Sequence, residues 1–394
     1  MSKDFKKIID AGLESIKEKG LFKEERVIES RQGREIIIGG KKYLNFCSNN
    51  YLGLSGKNEL VNAGKKALGK WGFGLSSVRF ICGTLKIHKD LEKKLAKFMG
   101  YEDAILYNSC FDANTGLFQT ILTDQDIIIS DEFNHASIID AARLCKAERF
   151  VFKHSDMKDL EEKLKQAQSK RVRLIATDGV FSMEGDIAKI KEICDLADKY
   201  DALLMMDDSH ATGFLGKTGK GTHEYAGVKN RIDFITSTLG KALGGASGGF
   251  TVSTKENIEF LRQRSRNYLF SNSLSPMITA VSSFVIDYIK SYKEPREKLW
   301  ENTKRFRKMM KDASFVISKT EHPIIPIMLG DAKIAKEMAK ELFKEGIYVV
   351  AFSYPVVPEG KARVRVQISA VHTDEDIDRV VSIFSKIAKK LKII

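Results

Sequence analysis

From about residue 60 to residue 275 the chain alternates strand-length apolar runs with amphipathic stretches, and this alternation limits the fold more than any other feature. The runs are AILY (104–107), III (127–129), VRLIA (172–176), ALLMM (202–206) and FIT (234–236). Amphipathic patterns of helical period lie between them, among them 86–99, 156–168 and 187–199. A strand that is apolar on consecutive residues needs cover on both faces, and the intervening helices supply it. The pattern predicts βαβ units and a mostly parallel sheet, an α/β fold. Beyond 294 a long charged helix pattern precedes IIPIML (324–329), a helix near 332–345, IYVVAF (347–352), RVRVQIS (363–369) and a closing helix from about 373. That predicts a smaller α+β C-terminal domain.

All six prolines lie between Pro276 and Pro358, so the strongest shift in composition falls near 276. The expected organisation is an N-terminal helix and hairpin arm (1–55), a large domain (56–285) and a small C-terminal domain (286–394). In the arm, Phe5, Ile8, Ile9, Leu13 and Ile16 recur at helical spacing. EIIIGGKKYLNF (35–46) reads as a hairpin turning at Gly39-Gly40.

Composition removes several classes of function. Hydrophobic residues at 43% and charged residues at 30% make a globular chain rather than a disordered one. Five scattered cysteines without a CxxC pair argue against a disulfide framework and a zinc site, and no metal is expected. No apolar run has signal-peptide or membrane-spanning length, so the expectation is a cytoplasmic protein without membrane or mitochondrial targeting. The net charge of +13 suits an anionic partner. Nucleic acid is not the expected one: LRQRSRNYLF (261–270) is the nearest basic stretch with aromatics, and it leads into a different candidate segment.

In an open parallel sheet, ligands gather beyond the carboxyl ends of the strands. Four segments there carry chemistry. Asp207, Asp208, Ser209 and His210 follow ALLMM; the acid is either a cap or ion-pair partner, or is aimed at a cationic ring nitrogen. Lys241 follows FITSTLG and precedes a glycine-rich run. It either snorkels from a turn or is a desolvated amine fit for Schiff-base chemistry; Ala242 after it rules out a Walker A loop. Tyr107 to Asn114 passes from strand to helix, either a simple cap or a phosphate seat. His135, in DEFNHAS, is either structural or a flat partner for a planar ligand. One cofactor accounts for all four. Pyridoxal 5′-phosphate needs a lysine for its aldehyde, an acid for its ring nitrogen, an anion seat and a flat neighbour.

With those segments in view the chain resembles the α-oxoamine synthases, pyridoxal-phosphate enzymes of the aspartate aminotransferase fold. The resemblance is carried by NFCSNNYLGL (45–54), SVRFICGT (77–84), SCFDAN (109–114), DEFNHASIIDAARLCKA (131–147), ATDGVFSMEGD (176–186), MDDSHATGFLG (206–216), STLGKALGGASGG (237–249), YLFSNSLSP (268–276) and ARVRVQISA (362–370). SVRFICGT and NHASIIDAARLCKA favour the branch that condenses glycine with acetyl-CoA to 2-amino-3-ketobutyrate and CoA. The alternatives are 8-amino-7-oxononanoate synthase, which uses alanine and pimeloyl-CoA, or a dual-specificity enzyme.

The resemblance implies that Lys241 holds the cofactor and later moves the substrate proton. It implies that Asp207 pairs with the ring nitrogen, His210 bonds the ring hydroxyl and His135 stacks on the ring. Cys110, Phe111, Ser182 and Thr238 would seat the phosphate and ring, with Asp208, Ser209, Leu239 and Gly240 beside them. Ser271 and Asn272 would reach the phosphate across a homodimer interface. Asn49 and Arg365, with His135, would bind the substrate. Spacing alone does not separate Arg365 from Arg363, which shares its strand face. Coupling to a threonine dehydrogenase is a further implication.

Overall fold

The computed structural model describes residues 2–18 and 21–394. The hairpin forms as its sequence predicts: β1 (Glu35–Ile38) pairs antiparallel with β2 (Lys41–Asn45). Gly39 and Gly40 turn at φ 54° and 72°, a left-handed pair that suits a two-residue loop and favours glycine.

The strands β3 (Asp103–Tyr107), β4 (Ile127–Asp131), β5 (Glu148–Phe152), β6 (Arg173–Asp178), β7 (Leu203–Asp207), β8 (Phe234–Thr238) and β9 (Gly249–Ser253) make one sheet. Its order is β3-β9-β8-β7-β6-β4-β5, and only β9 runs against the others. The expected mostly parallel sheet is therefore present. Side chains alternate strictly between its faces. Ile127, Ile129, Ile175, Leu204 and Met206 enter one apolar cluster, whereas Ile128, Leu174, Ala176 and Met205 enter the other. Two cores explain why these strands read as continuous apolar runs. The antiparallel β9 and the exposed edge strand β5 went unpredicted, because GFTVS and ERFVF are less uniformly apolar.

Sequential strands β3 and β4 lie far apart in the sheet. Helix Cys110–Ile121 bridges them by packing across β8 and β9. Its N-terminus is thereby brought to the sheet's carboxyl edge, where a crevice opens.

Toward the C-terminus, β10 (Ile324–Gly330), β12 (Val350–Phe352) and β13 (Ala362–Gln367) form an antiparallel sheet in the order β10-β13-β12. The short β11 (Ile347–Tyr348) pairs parallel with β2, so the hairpin and the C-terminal part share hydrogen bonds. Pro276, at the shift in composition, is the first residue of helix Pro276–Ser291, where a missing N–H costs nothing. The N-terminal helix Lys3–Glu18 also forms, but Phe5, Ile8, Ile9, Leu13 and Ile16 stay 41–66% exposed. Its apolar stripe therefore stays largely open to solvent among the described residues. No helix among the described residues is long and apolar enough to cross a membrane.

One buried carboxylate ties together the segments that flank the crevice. Glu92, in helix Lys86–Met99, is fully buried and meets Arg79 at 2.8 Å, Lys89 at 2.6 Å and Arg262 at 3.3 Å. Arg262 also grips Asp103 at 2.7 Å, at the start of β3. Removing one member of such a group strands charge in the interior. We expect Glu92→Ala to lower the unfolding free energy by about 3–5 kcal/mol, measured by urea denaturation.

Candidate active site

The ends of β6, β7 and β8 lie side by side, with Asp178 opposite Asp207 and Asp207 opposite Thr236. The first polar groups beyond three apolar strands therefore emerge into a space that holds little water. Asp207 is only 4% exposed, and a carboxylate so placed requires donors. Its Oδ2 accepts from the Asn114 amide at 2.8 Å and from the Cys110 thiol at 3.4 Å, and its Oδ1 accepts from the Ser209 N–H at 3.0 Å. Burial, then the Asp207 charge, pushes the Cys110 thiol far above the usual thiol range, so it stays a donor.

Asp208 has a different task. Its carboxylate accepts from the Thr212 hydroxyl at 2.9 Å and the Thr222 N–H at 3.2 Å. Burial raises its pKa to about 7. A Cβ at Gly221 would lie 1.7 Å from its Oδ2, so the 212–222 loop is wound directly onto this acid. Asp208 thus holds the loop behind the site.

Lys241 lies in the loop joining β8 to β9. That loop is closed by the Leu239 N–H to the Gly248 carbonyl at 2.9 Å, and the Thr238 hydroxyl donates to the same oxygen at 3.2 Å. Thr238 Oγ1 also accepts from the Gly240 N–H at 3.0 Å, and Leu239 is fully buried beneath. The amine sits 2.9 Å from His210 Nε2. Desolvation lowers the Lys241 pKa below the lysine range, against the pull of Asp207. Burial, then the charge of Lys241, holds His210 well below the histidine range, so its ring is neutral. A neutral ring donates from one nitrogen and accepts at the other, with Nε2 facing the Lys241 amine and Nδ1 lying 2.8 Å from the Tyr51 hydroxyl. The His210 carbonyl accepts from buried His322 at 2.8 Å, which fixes the backbone there.

Ser109 caps helix Cys110–Ile121 by accepting from the Asp112 N–H at 3.0 Å. The Cys110 and Phe111 N–H groups have no partner within that helix and face the crevice edge. Gly249 makes this approach possible, since a Cβ there would lie 2.4 Å from Cys110 N and from Ser109 O.

His135 caps helix Ala136–Leu144; its N–H donates to Asp178 Oδ2 at 2.7 Å and its ring is exposed. Burial moves the Asp178 pKa up, and the Asp207 charge adds to this.

From the C-terminal sheet, Arg365 donates to the Ser182 carbonyl at 2.7 Å and lies over Phe352 at 4.7 Å. Gln367 takes the other side of the guanidinium at 2.9 Å and donates to Asn49 Oδ1 at 2.7 Å. Asn49, Ser182 and Arg365 are thus neighbours. The two arginines differ in their partners. Arg363 is 4% exposed and paired with Glu184 at 3.0 Å, whereas Arg365 has no ion-pair partner among the described residues. Ser271 and Asn272 lie apart from Arg365, beside Asn108, which donates to the Ser271 hydroxyl at 2.9 Å and the Asn272 carbonyl at 2.7 Å.

Several members of this arrangement were not picked out from sequence: Tyr51, Asn114, Ser137, Asp178, Thr236 and His322. Asn114 had a usable signal, since it stands one helical turn after Cys110. His322 had none, because it comes from a distant loop.

Comparison with known proteins places these residues in a wider group. Residues 41–384 match the family described as aminotransferase class I and II. The chain is 57% identical over 397 residues to 2-amino-3-ketobutyrate coenzyme A ligase of Salmonella typhimurium, covering all of both chains. It is 56% identical to the mitochondrial protein of that name from Homo sapiens, covering 97% of this chain and 92% of that one. An 8-amino-7-oxononanoate synthase of Thermosipho melanesiensis is 48% identical over 97% of both chains. Among solved structures, serine palmitoyltransferase of Sphingomonas wittichii superposes with a TM-score of 0.93 at 31% identity, covering 100% of this chain and 99% of that one. Another serine palmitoyltransferase, solved with PLP, has the same TM-score at 32% identity and covers 97% of this chain and 98% of that one.

Gly249→Ala tests the close approach of β9 to the helix start. The added carbon meets backbone atoms rather than a movable side chain. We expect a loss of about 1–3 kcal/mol of stability, measured by thermal unfolding, together with weakened phosphate binding at the Cys110 end.

Proposed function

This chain belongs to the class I and II aminotransferase family, whose chemistry runs on pyridoxal 5′-phosphate, and on that premise we propose that it condenses glycine with acetyl-CoA to 2-amino-3-ketobutyrate and CoA. The reaction is reversible and would serve threonine degradation to glycine. The observation that carries the reading is the half-buried Lys241 amine, 2.9 Å from a neutral His210 and close to the buried Asp207. The relatives named 2-amino-3-ketobutyrate coenzyme A ligase, at 57% and 56% identity, support the choice of product.

The residues fit the cofactor. The helix start at Cys110 and Phe111 suits a phosphate, and Gly249 leaves that approach open. The Ser209 hydroxyl is buried without a hydrogen-bond partner. When bound, pyridoxal phosphate supplies an electron-accepting ring that stabilises negative charge on the glycine α-carbon. Lys241 would hold the aldehyde and, with glycine bound, take the substrate α-proton on Nζ; desolvation, which lowers its pKa, favours the free amine. Asp207 would keep the ring nitrogen protonated, His210 would meet the ring hydroxyl and His135 would lie on the ring face. Ser182, Thr238, Leu239, Gly240 and Ser209 line the remainder, while Asp208 supports the loop behind.

Arg365 and Asn49 orient the glycine carboxylate. A guanidinium fork can hold both oxygens, and Arg365 is suited to this because no carboxylate among the described residues pairs with it, whereas Arg363 is taken by Glu184. Holding the carboxylate there would fix which α-carbon bond faces the Lys241 amine and favour loss of the proton.

A homodimer completes the site in this reading. Ser271 and Asn272 of each copy serve the phosphate seat of the other. Exposed Phe80, Ile81 and Phe270, at 62%, 69% and 66%, surround those residues and suit burial against a second copy. The protein is read as cytoplasmic, acting on small molecules rather than nucleic acid or membrane, with a threonine dehydrogenase upstream.

The 48% identical synthase favours one second reading, alanine with pimeloyl-CoA. Steady-state assay of both substrate pairs decides. We expect kcat/KM for glycine with acetyl-CoA to exceed the other pair by at least about tenfold; the reverse order overturns the assignment. Borohydride reduction of the loaded enzyme, followed by peptide mass spectrometry, is expected to place the cofactor on Lys241. Lys241→Ala should abolish both the label and turnover while keeping the wild-type circular dichroism.

A further inference from the structure

Asp207 and His135 come from different elements, the end of β7 and the start of helix Ala136–Leu144. One buried line of side chains joins them. Asn114 Nδ2 donates to Asp207 Oδ2 at 2.8 Å and to Ser137 Oγ at 2.8 Å, while its Oδ1 accepts from the Thr236 hydroxyl at 2.7 Å. Ser137 Oγ lies 2.7 Å from His135 Nδ1, and the Ser137 N–H donates to that nitrogen at 3.2 Å. Asn114 is 0% and Ser137 1% exposed, so water does not interrupt the line.

The direction of each hydrogen follows from the charge at one end. A carboxylate only accepts, so Asn114 must turn its NH2 toward Asp207. The second amide hydrogen then goes to Ser137 Oγ. With that oxygen accepting, the one hydroxyl hydrogen of Ser137 is left for His135 Nδ1. Nδ1 thus receives two donors, the O–H and N–H of Ser137, and carries no hydrogen itself. The ring is neutral: desolvation holds His135 below the histidine range, with Asp207 opposing and Lys241 reinforcing. A neutral imidazole with an accepting Nδ1 carries its proton on Nε2. That nitrogen makes no hydrogen bond among the described residues, and the residue as a whole is exposed.

We propose that Asn114 and Ser137 are positioning residues that transmit the charge of Asp207 to His135 and fix it as the Nε2–H tautomer, so that its outer edge carries a hydrogen-bond donor. The inference rests on the reading that Asp207 and His135 bracket the cofactor. A donor at that edge attracts an anionic oxygen of a bound substrate, whereas a lone pair would repel it. The same line of bonds holds the acid and the ring at a set spacing, which two independent side chains would not keep.

Neutron diffraction of deuterium-exchanged crystals of the loaded enzyme reads the arrangement directly. The expected map has deuterium on His135 Nε2, none on Nδ1, and the Ser137 hydroxyl deuterium directed at the ring. Deuterium on Nδ1 overturns the proposal. If the protein takes up no cofactor, the functional reading fails, and the same map of the unloaded protein still reports the His135 tautomer. Kinetics give a second readout. Ser137→Ala is expected to raise the glycine KM by on the order of tenfold with a smaller change in kcat, and Ser137→Thr, which restores a hydroxyl, to return it toward wild type. An unchanged KM in Ser137→Ala, or equal loss in both variants, overturns it.

Discussion

A carboxylate placed at the end of an apolar strand organises much of this molecule. Asp207 emerges from β7 almost without access to water, so its oxygens must be met by protein donors. Those donors come from two directions, the helix that follows β3 and the turn that follows β7 itself. Satisfying one charge therefore pins helix Cys110–Ile121 across the sheet. That placement brings the helix start, and its unpaired N–H groups, to the crevice where Lys241 and His210 meet. A helix start, an amine and an acid become neighbours because one buried group demands partners.

Lys241 and Arg365 show the complementary effect. Each cation is partly desolvated and lacks a dedicated carboxylate within ion-pair distance among the described residues. Neighbouring cations are treated differently: Arg363 is paired with Glu184, Arg79 with Glu92, and Arg262 with Asp103 and Glu92. An enzyme that binds a carboxylate substrate and an aldehyde cofactor needs free cationic or basic groups in the site and paired ones elsewhere. The division between Arg363 and Arg365, two residues apart on one strand, is the sharpest instance.

Much of the fold was legible because the relevant physics is local and periodic. Strands buried on both faces must be apolar throughout, so β3, β4, β6, β7 and β8 announced themselves. Gly39-Gly40 could turn left-handed where other residues strain. β9 escaped because Gly249 must lack a side chain for the helix start to approach, and that requirement weakens its strand signal. The N-terminal helix was legible as a helix, yet nothing in its stripe told what it would cover.

The sequence by itself determined the layers, the polar groups waiting at the strand ends and the family resemblance, since these depend on residue type and short-range order. Only the tertiary structure decided which acid faces the amine and which holds a loop, which arginine stays unpaired, and that Asn114 links Asp207 to Ser137. Those outcomes depend on partners brought together from as far as 183 residues away in the chain, as Ser182 and Arg365 are. Burial makes such partners obligatory, but only the packed chain settles which groups they are.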